Sequence, residues 1–392
     1  MASSTVHASP VQRLEHPLLG ASLGSQKTLV SFHYGRPDAR PKVYIQASLH
    51  ADELPGMLVC HHLRQHLEQA ALAGRLSGQV VLVPVANPLG LAQRLNHKAL
   101  GRFEFDTGEN FNRHYPDLVQ AVWPAVQGHL GADAQANVAA VRQAATAWLN
   151  SWQPTSELES LRRELLLLAH DADRVLDLHC DAQAALHLYT EEACWPAIEP
   201  LARLLGCQAV LLAKDSGGGP FDERLSGLWW QLKEKLESAG EDWPLPQACA
   251  STTVELRGEA EVSHALAQQD AQAIWRYLEH MGVLTRDEPT ASRALPALPC
   301  AATPLAGSQT LRTTLPGVLV FLARPGERVR RGDVVAEVID PSAPAASRVH
   351  RVLAEVDGML YATVRERYVC AGGEIGKIAG ATPFRTGDLL GA

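Results

Sequence analysis

No stretch of the 392-residue chain approaches the roughly 18 uncharged apolar residues of a membrane span, so no membrane-embedded helix is expected. Basic charge is not in surplus either. The 35 Lys and Arg stand against 43 Asp and Glu, a net charge of -8, and neither nucleic acid nor an anionic membrane surface is an expected partner. The seven cysteines, at 60, 180, 194, 207, 249, 300 and 370, are scattered and never form a CxxC pair. Their odd number and spacing suit free thiols in a reducing compartment better than a disulfide framework. The first residues, MASSTVHASPVQRLEHP, lack a basic start followed by an apolar core, so no secretory signal is expected and the expected location is cytoplasmic.

What is present is a long, balanced chain. Hydrophobic residues make up 46% and charged residues 20%, and 392 residues are comfortable for two domains. Strand-like and helix-like patterns alternate from residue 42 to about 282. Residues 42–49, 79–86, 174–178, 185–189, 208–212 and 252–256 read as strands, the run QVVLVPVA as one buried on both faces. Helices are expected over 53–67, 132–152, 157–172 and 263–281. This alternation indicates an α/β domain with a parallel or mixed sheet. Residues 286–312 are rich in Pro and Ala and read as a linker. Beyond it two similar halves, each a Gly before a short strand, a turn and a closing strand, suggest a small barrel-like sandwich over 313–392.

Four motifs carry chemistry. His50-Ala51-Asp52-Glu53 falls where a strand gives way to a helix, beyond the carboxyl end of the strand, where α/β sheets place their ligands. A His and a Glu three apart on such a turn can face one metal, although Asp52 and Glu53 would also suit a helix N-terminus. Asp177-Leu178-His179-Cys180-Asp181 ends another strand. His179 would complete a His, Glu, His set, and Asp177 or Asp181 would orient an imidazole. Cys180 reads as a packed thiol. GENFNR brings Asn112 and Arg113, an amide and a guanidinium fork suited to a carboxylate, or simply a solvated loop. In TTVELRG, Glu255 ends a strand and is either a general base or the partner of Arg257. The Gly-rich segment KDSGGGPFDE, residues 214–223, is equally compatible with a closing loop and a plain turn.

In order and spacing these motifs resemble the zinc carboxypeptidase superfamily, and more closely its succinylglutamate desuccinylase/aspartoacylase branch. The phrases SLHADELPG, NPLG, GENFNR, DLHCD and TVELRG carry the resemblance over about residues 40–282. It implies an α/β fold with a carboxypeptidase-like mixed sheet flanked by helices, joined to a small C-terminal all-β domain. The corresponding division is a zinc-dependent hydrolase domain over 1–285, a linker over 286–312 and a β-domain over 313–392. By the same resemblance His50, Glu53 and His179 match three Zn2+ ligands, Asn112 and Arg113 a pair that holds a substrate carboxylate, and Glu255 the carboxylate that activates the attacking water. An arginine that polarises the scissile carbonyl is matched by Arg102 near the Asn-Arg pair, with Arg94 after NPLG as the alternative. No tyrosine is placed in the site.

The activity so implied is hydrolysis of the amide of a small N-acyl amino acid. A carboxypeptidase acting on peptide C-termini and a non-catalytic ligand-binding protein are the alternatives. The C-terminal repeat also resembles lipoyl and biotinyl carrier domains. Carriers need a modifiable Lys at the tip between the halves, and DPSAPAASRVHRV has none. Exposed edges of small β-domains often pair with a neighbour, so a homo-oligomer is compatible with the sequence.

Overall fold

The computed structural model describes residues 11–285 and 294–390, and part of the expected linker, 286–293, lies outside them. The chain opens with strands β1 (Val11–Pro17), β2 (Thr28–Tyr34), β3 (Lys42–Ala47) and β4 (Gln79–Val83), with helix α1 (Pro55–Leu72) between the last two. After α2 (Pro88–Leu91), β5 (Arg94–Leu95) and β6 (Lys98–Ala99) form a small hairpin. Helices α3 (Leu118–Val126), α4 (Ala134–Ser151) and α5 (Glu157–Ala169) precede β7 (Arg174–Asp181), β8 (Gln183–Ala184) and β9 (His187–Glu191). The unit ends with α6 (Trp195–Leu205), β10 (Ala209–Ala213), α7 (Phe221–Ser238), β11 (Ala250–Gly258), α8 (His264–His280) and β12 (Ala302–Pro304).

Nine of these strands form one mixed sheet in the order β1-β2-β4-β3-β7-β11-β9-β10-β12. Its centre, β4-β3-β7-β11, is parallel, and the β11–β9 pair is antiparallel. Both faces are covered, which explains the continuous apolar runs of the central strands. One core packs α1, α6 and α8 against Val43, Ile45, Leu176 and Val254. The other packs α3, α4, α5 and α7 against Tyr44, Val81, Val83 and Val175.

Three details depart from the sequence expectation. An N-terminal hairpin, β1 with β2, extends the sheet ahead of residue 42. Helix α1 begins at Pro55 rather than at 53, because proline lacks an N–H and is preorganised for the first helical position. Glu53 is therefore left on the turn. The segment expected as a linker carries β12, which pairs with β10, and enters the first strand of the β-unit.

The C-terminal strands are β13 (Ser308–Arg312), β14 (Gly317–Phe321), β15 (Arg328–Val329), β16 (Val334–Ile339), β17 (Val349–Leu353), β18 (Gly358–Thr363), β19 (Tyr368–Val369) and β20 (Glu374–Gly380). They make two four-stranded antiparallel paths, β13-β20-β18-β15 and β17-β16-β14-β19, around a core of Leu311, Leu319, Val335, Leu360, Ile375 and Ile378. Strand β8 of the first unit pairs with β18, and Tyr189 and Leu211 pack with Tyr361 and Leu305 across the junction.

Candidate active site

Period-two alternation aims one row of side chains at a single place. Strand β7 is paired in parallel with β11 so that Asp177 lies beside Thr253 and His179 beside Glu255. Strand β9 adds Tyr189 opposite Thr253 and His187 opposite Glu255. Residues two apart on a strand share a face, so these six form one polar strip on the interior strands of an otherwise apolar sheet. The neighbouring β3 ends at Ala47, and the turn after it carries His50 and Glu53 onto the same end.

His50, Glu53 and His179 come together there, each offering one donor atom, all within 4.8 Å of one another. The Glu53 carboxylate sits between the two rings, with Oε1 3.0 Å from His50 Nδ1 and Oε2 2.8 Å from His179 Nδ1. The Cys180 N–H donates to Oε2 at 3.1 Å and Arg102 Nη2 to Oε1 at 2.9 Å. All three members of the cluster are buried, at 4%, 4% and 2% exposure, so solvent offers their charges little relief. Burial opposes ionisation of Glu53, but His179 and His50 outweigh it and hold the carboxyl well below its usual value. Burial pushes His50 down to about 4, assisted by Arg102. For His179 burial is overridden by Asp177 and Glu53, which raise the imidazole well above its usual value.

The far nitrogen of each ring also has a partner. Asn110 Oδ1 lies 2.9 Å from His50 Nε2. Asp177 Oδ2 lies 3.1 Å from His179 Nε2, as an ion pair rather than an aligned hydrogen bond. Both rings thus present Nδ1 to the cluster. Of the two acids flanking His179 in sequence, Asp177 makes this contact, while Asp181 pairs with Lys377 at 3.6 Å.

A cavity of about 370 Å³ opens onto the cluster and is lined by His50, His179, Arg102, Asn112, Arg113 and Glu255 among others. Glu255 Oε2 is buried and has no hydrogen-bond partner among the described residues. Arg257 does not neutralise it, because Arg257 makes a two-pronged pair with Asp270 at 2.8 and 2.9 Å. Burial, then the nearby Glu53, push the Glu255 carboxyl up to about 8. Asn112 Oδ1 accepts the Phe221 N–H at 2.9 Å, which fixes its amide and turns the NH2 group away from that helix end. Arg113 Nη1 donates to the Asn112 carbonyl at 2.7 Å, and its guanidinium feels Asp222 and Glu223 at the start of α7. Burial raises those two carboxyls to about 6 and about 7. Arg94 is not brought here: it is exposed on the β5–β6 hairpin and does not line the cavity.

The Gly-rich segment is a fitted turn beside this cavity. Gly217, Gly218 and Gly219 have consecutive φ values of 86°, 70° and 57°, which side chains adopt rarely. The carbonyls of Gly218 and Gly219 accept the N–H groups of His114 and Tyr115 at 2.9 and 3.1 Å, tying the turn to the GENFNR loop.

Several cavity residues were not found from sequence. Tyr189 reaches the cavity from β9, and Glu374, Lys377 and Leu390 reach it from the C-terminal unit. Asn110 was legible only as part of GENFNR. Nothing local marks Lys377, whose place follows from how the two units pack.

Comparison with known proteins agrees with this arrangement. The model of the succinylglutamate desuccinylase/aspartoacylase catalytic domain matches residues 39–281. No curated protein matches the chain. Among solved structures, a protein described as a succinylglutamate desuccinylase/aspartoacylase from Shewanella frigidimarina NCIMB 400 is 26% identical with a TM-score of 0.79, over 95% of this chain and 98% of that one. A protein described as a member of the same family from Shewanella amazonensis SB2B is 26% identical with a TM-score of 0.80, over 94% and 98% of the two chains. The product-bound ectoine utilization protein EutE (DoeB) from Ruegeria pomeroyi shares the fold, at 15% identity and a TM-score of 0.61, over 96% and 100%. With the catalytic-domain model matched across the strands and turns that build this site, the chain belongs to the succinylglutamate desuccinylase/aspartoacylase family.

Proposed function

We propose that the protein is a zinc-dependent deacylase that cleaves the amide bond of a small N-acyl amino acid. The observation that carries this reading is the geometry of His50, Glu53 and His179. Three donors of the types zinc prefers converge within 4.8 Å, and both imidazoles have their far nitrogen occupied so that Nδ1 faces inward. The donor set fits a catalytic rather than a structural zinc site, because three protein ligands leave a position for a reactant. Zinc bound there supplies a Lewis acid that eases deprotonation of water and polarises a carbonyl.

The chain's own residues would do the rest. Glu255 Oε2, buried and unpartnered, would take the proton of the attacking water and deliver it to the departing amine nitrogen. Arg102, which lines the cavity and holds Glu53, would keep that ligand in place and face the scissile carbonyl oxygen. Arg113 and the Asn112 NH2 group would hold the free carboxylate of the amino acid. The domain division at residues 285 and 312 belongs to the same reading, with the β-unit closing one side of the cavity.

Elemental analysis of the purified protein, combined with hydrolysis assays on a panel of N-acyl amino acids, tests this. About one zinc per chain and turnover of free-acid substrates are expected. A protein that stays metal-free after zinc loading would refute the assignment.

A further inference from the structure

We propose that the outer face of the sheet β17-β16-β14-β19 is a docking surface for a second copy of this chain. The proposal uses no residue of the cavity and is independent of the deacylase reading.

The two layers of the β-unit have unequal surroundings. Layer β13-β20-β18-β15 is the one joined to the first unit, through β8 on β18. The other layer turns Leu319, Val335, Val338 and Val352 into the core of the β-unit. Its opposite face ought to be polar, since an antiparallel sheet with one side in water alternates apolar with polar residues. It is not. Strand β14 and the residue after it read GVLVFL, the continuous apolar run of a strand buried on both sides. Cross-strand partners share a face, so the register lays out the rows. Tyr368, Val318, Ile339 and Val349 form one row across all four strands. Val320, Glu337 and Arg351 form the next, and alternation puts Leu322 and Leu353 beyond it. The valines, leucines and tyrosine of β14, β17 and β19 on this face are between 39% and 69% exposed.

The size of the face suits a protein surface. Those six apolar side chains expose on the order of 500 Å², toward the upper end of what a monomer leaves uncovered. With Glu337, Arg351 and the rim, the face comes to roughly the 800 Å² per partner that a standard interface buries. The undescribed segments MASSTVHASP, RDEPTASR and GA offer only Met1 and Val6 as large apolar side chains, too few to cover it. The charges on the face match themselves. Glu337 and Arg351 are paired at 3.5 Å, with 68% of the Arg351 side chain exposed, so the middle row is neutral and carries one charge of each sign. A two-fold axis near this row lets the long Arg351 side chain reach Glu337 of the second copy while the apolar rows pack face to face. Such an isologous contact closes a dimer.

Sedimentation velocity of the full-length protein up to about 100 µM tests this, the scale on which an interface of modest size forms. A dimer is expected. Val320→Glu sets a carboxylate among the apolar rows and should raise the dissociation constant about 100-fold or more, with circular dichroism checking that the variant folds. Glu337→Arg and Arg351→Glu should each weaken association about tenfold or more, because each puts like charges across the contact. Mixing these two single variants should restore it, since each chain then meets the opposite charge although neither regains its own internal pair. A wild type that stays monomeric, or a dimer that Val320→Glu leaves intact, would overturn the proposal. So would charge variants that associate no better mixed than alone. Should Val320→Glu misfold, that mixing experiment decides, because Arg351 lies mostly in solvent.

Discussion

Asn110 Oδ1 lies 2.9 Å from His50 Nε2 while also accepting the Asn112 N–H at 2.8 Å. A backbone N–H can only donate, so the atom it meets is the amide oxygen and His50 must donate from Nε2. The Nδ1 lone pair is thereby directed at the cluster. One side chain links a proposed metal ligand to the loop proposed to hold the substrate carboxylate.

Asp177 acts on His179 from the equivalent position, so Asp177→Asn should weaken the metal site without abolishing the fold. Metal affinity is expected to fall roughly 10–100-fold, the usual cost of removing an outer partner of an imidazole ligand. His179→Ala should lose the metal outright. Competition with a chelator, read by elemental analysis, checks both, and unchanged affinity in Asp177→Asn would show that the 3.1 Å contact does not orient the ring.

Glu255→Gln should retain zinc and lose kcat by about 10²–10⁴-fold, because an amide cannot accept the water proton. Wild-type activity should decline on the acid side, since a base works only when deprotonated. The buried Glu255 carboxyl is raised to about 8 in the metal-free protein, and a bound cation would lower that value. A kcat/KM profile that stays flat down to pH 5 would argue against Glu255 as the base.

Gly218→Ala should perturb substrate binding through Arg113. Its φ is 70°, and an added Cβ would stand 2.8 Å from Arg113 Cδ. Strain at a left-handed position costs about 1–2 kcal/mol, and the displaced guanidinium should raise KM more than it lowers kcat. Arg113→Lys should act in the same direction, because it keeps the charge and loses the planar fork. Steady-state kinetics with free and esterified substrate check this. Were Arg113→Lys and wild type to differ equally on both, no carboxylate contact would exist.

Glu191 should make the protein less stable as pH rises. Its carboxyl is buried beside Ser226, accepts the Trp230 indole N–H at 2.6 Å, and is pushed by burial from 4.5 up to about 8. Between those values the unfolded chain has released the proton and the folded chain keeps it, so the contribution to stability present at low pH is lost as pH rises through about 8. Glu191→Gln removes the titration. The stability difference between wild type and variant, from denaturant unfolding at pH 5 to 9, should shift against wild type with rising pH.

Much of the site was legible because its chemistry is local. His50 with Glu53, His179 and Glu255 each sit at or near the end of a central strand, and strand patterns and turns are written over a few residues. Asn112 and Arg113 were legible for the same reason, as neighbours in one loop. What escaped was whatever depended on distant packing. By sequence Arg102 was preferred and Arg94 stayed an alternative; the hairpin holds Arg94 exposed while Arg102 reaches Glu53. The choice between Asp177 and Asp181 turned on Lys377, nearly two hundred residues away, which takes Asp181.

By itself, then, the amino-acid sequence determined the alternation of strand and helix, the donor types at the strand ends, and the absence of a carrier lysine between the C-terminal repeats. Each follows from spacing along the backbone, where period two or 3.6 decides which face a side chain takes. Tertiary structure decided which nitrogen of each imidazole faces the cluster, that Glu255 stays unpaired while Arg257 finds Asp270, and that the β-unit brings Lys377 to the cavity. Those outcomes depend on how whole faces pack together. Burial then sets the strength of each contact, because charges removed from water act on one another at full force.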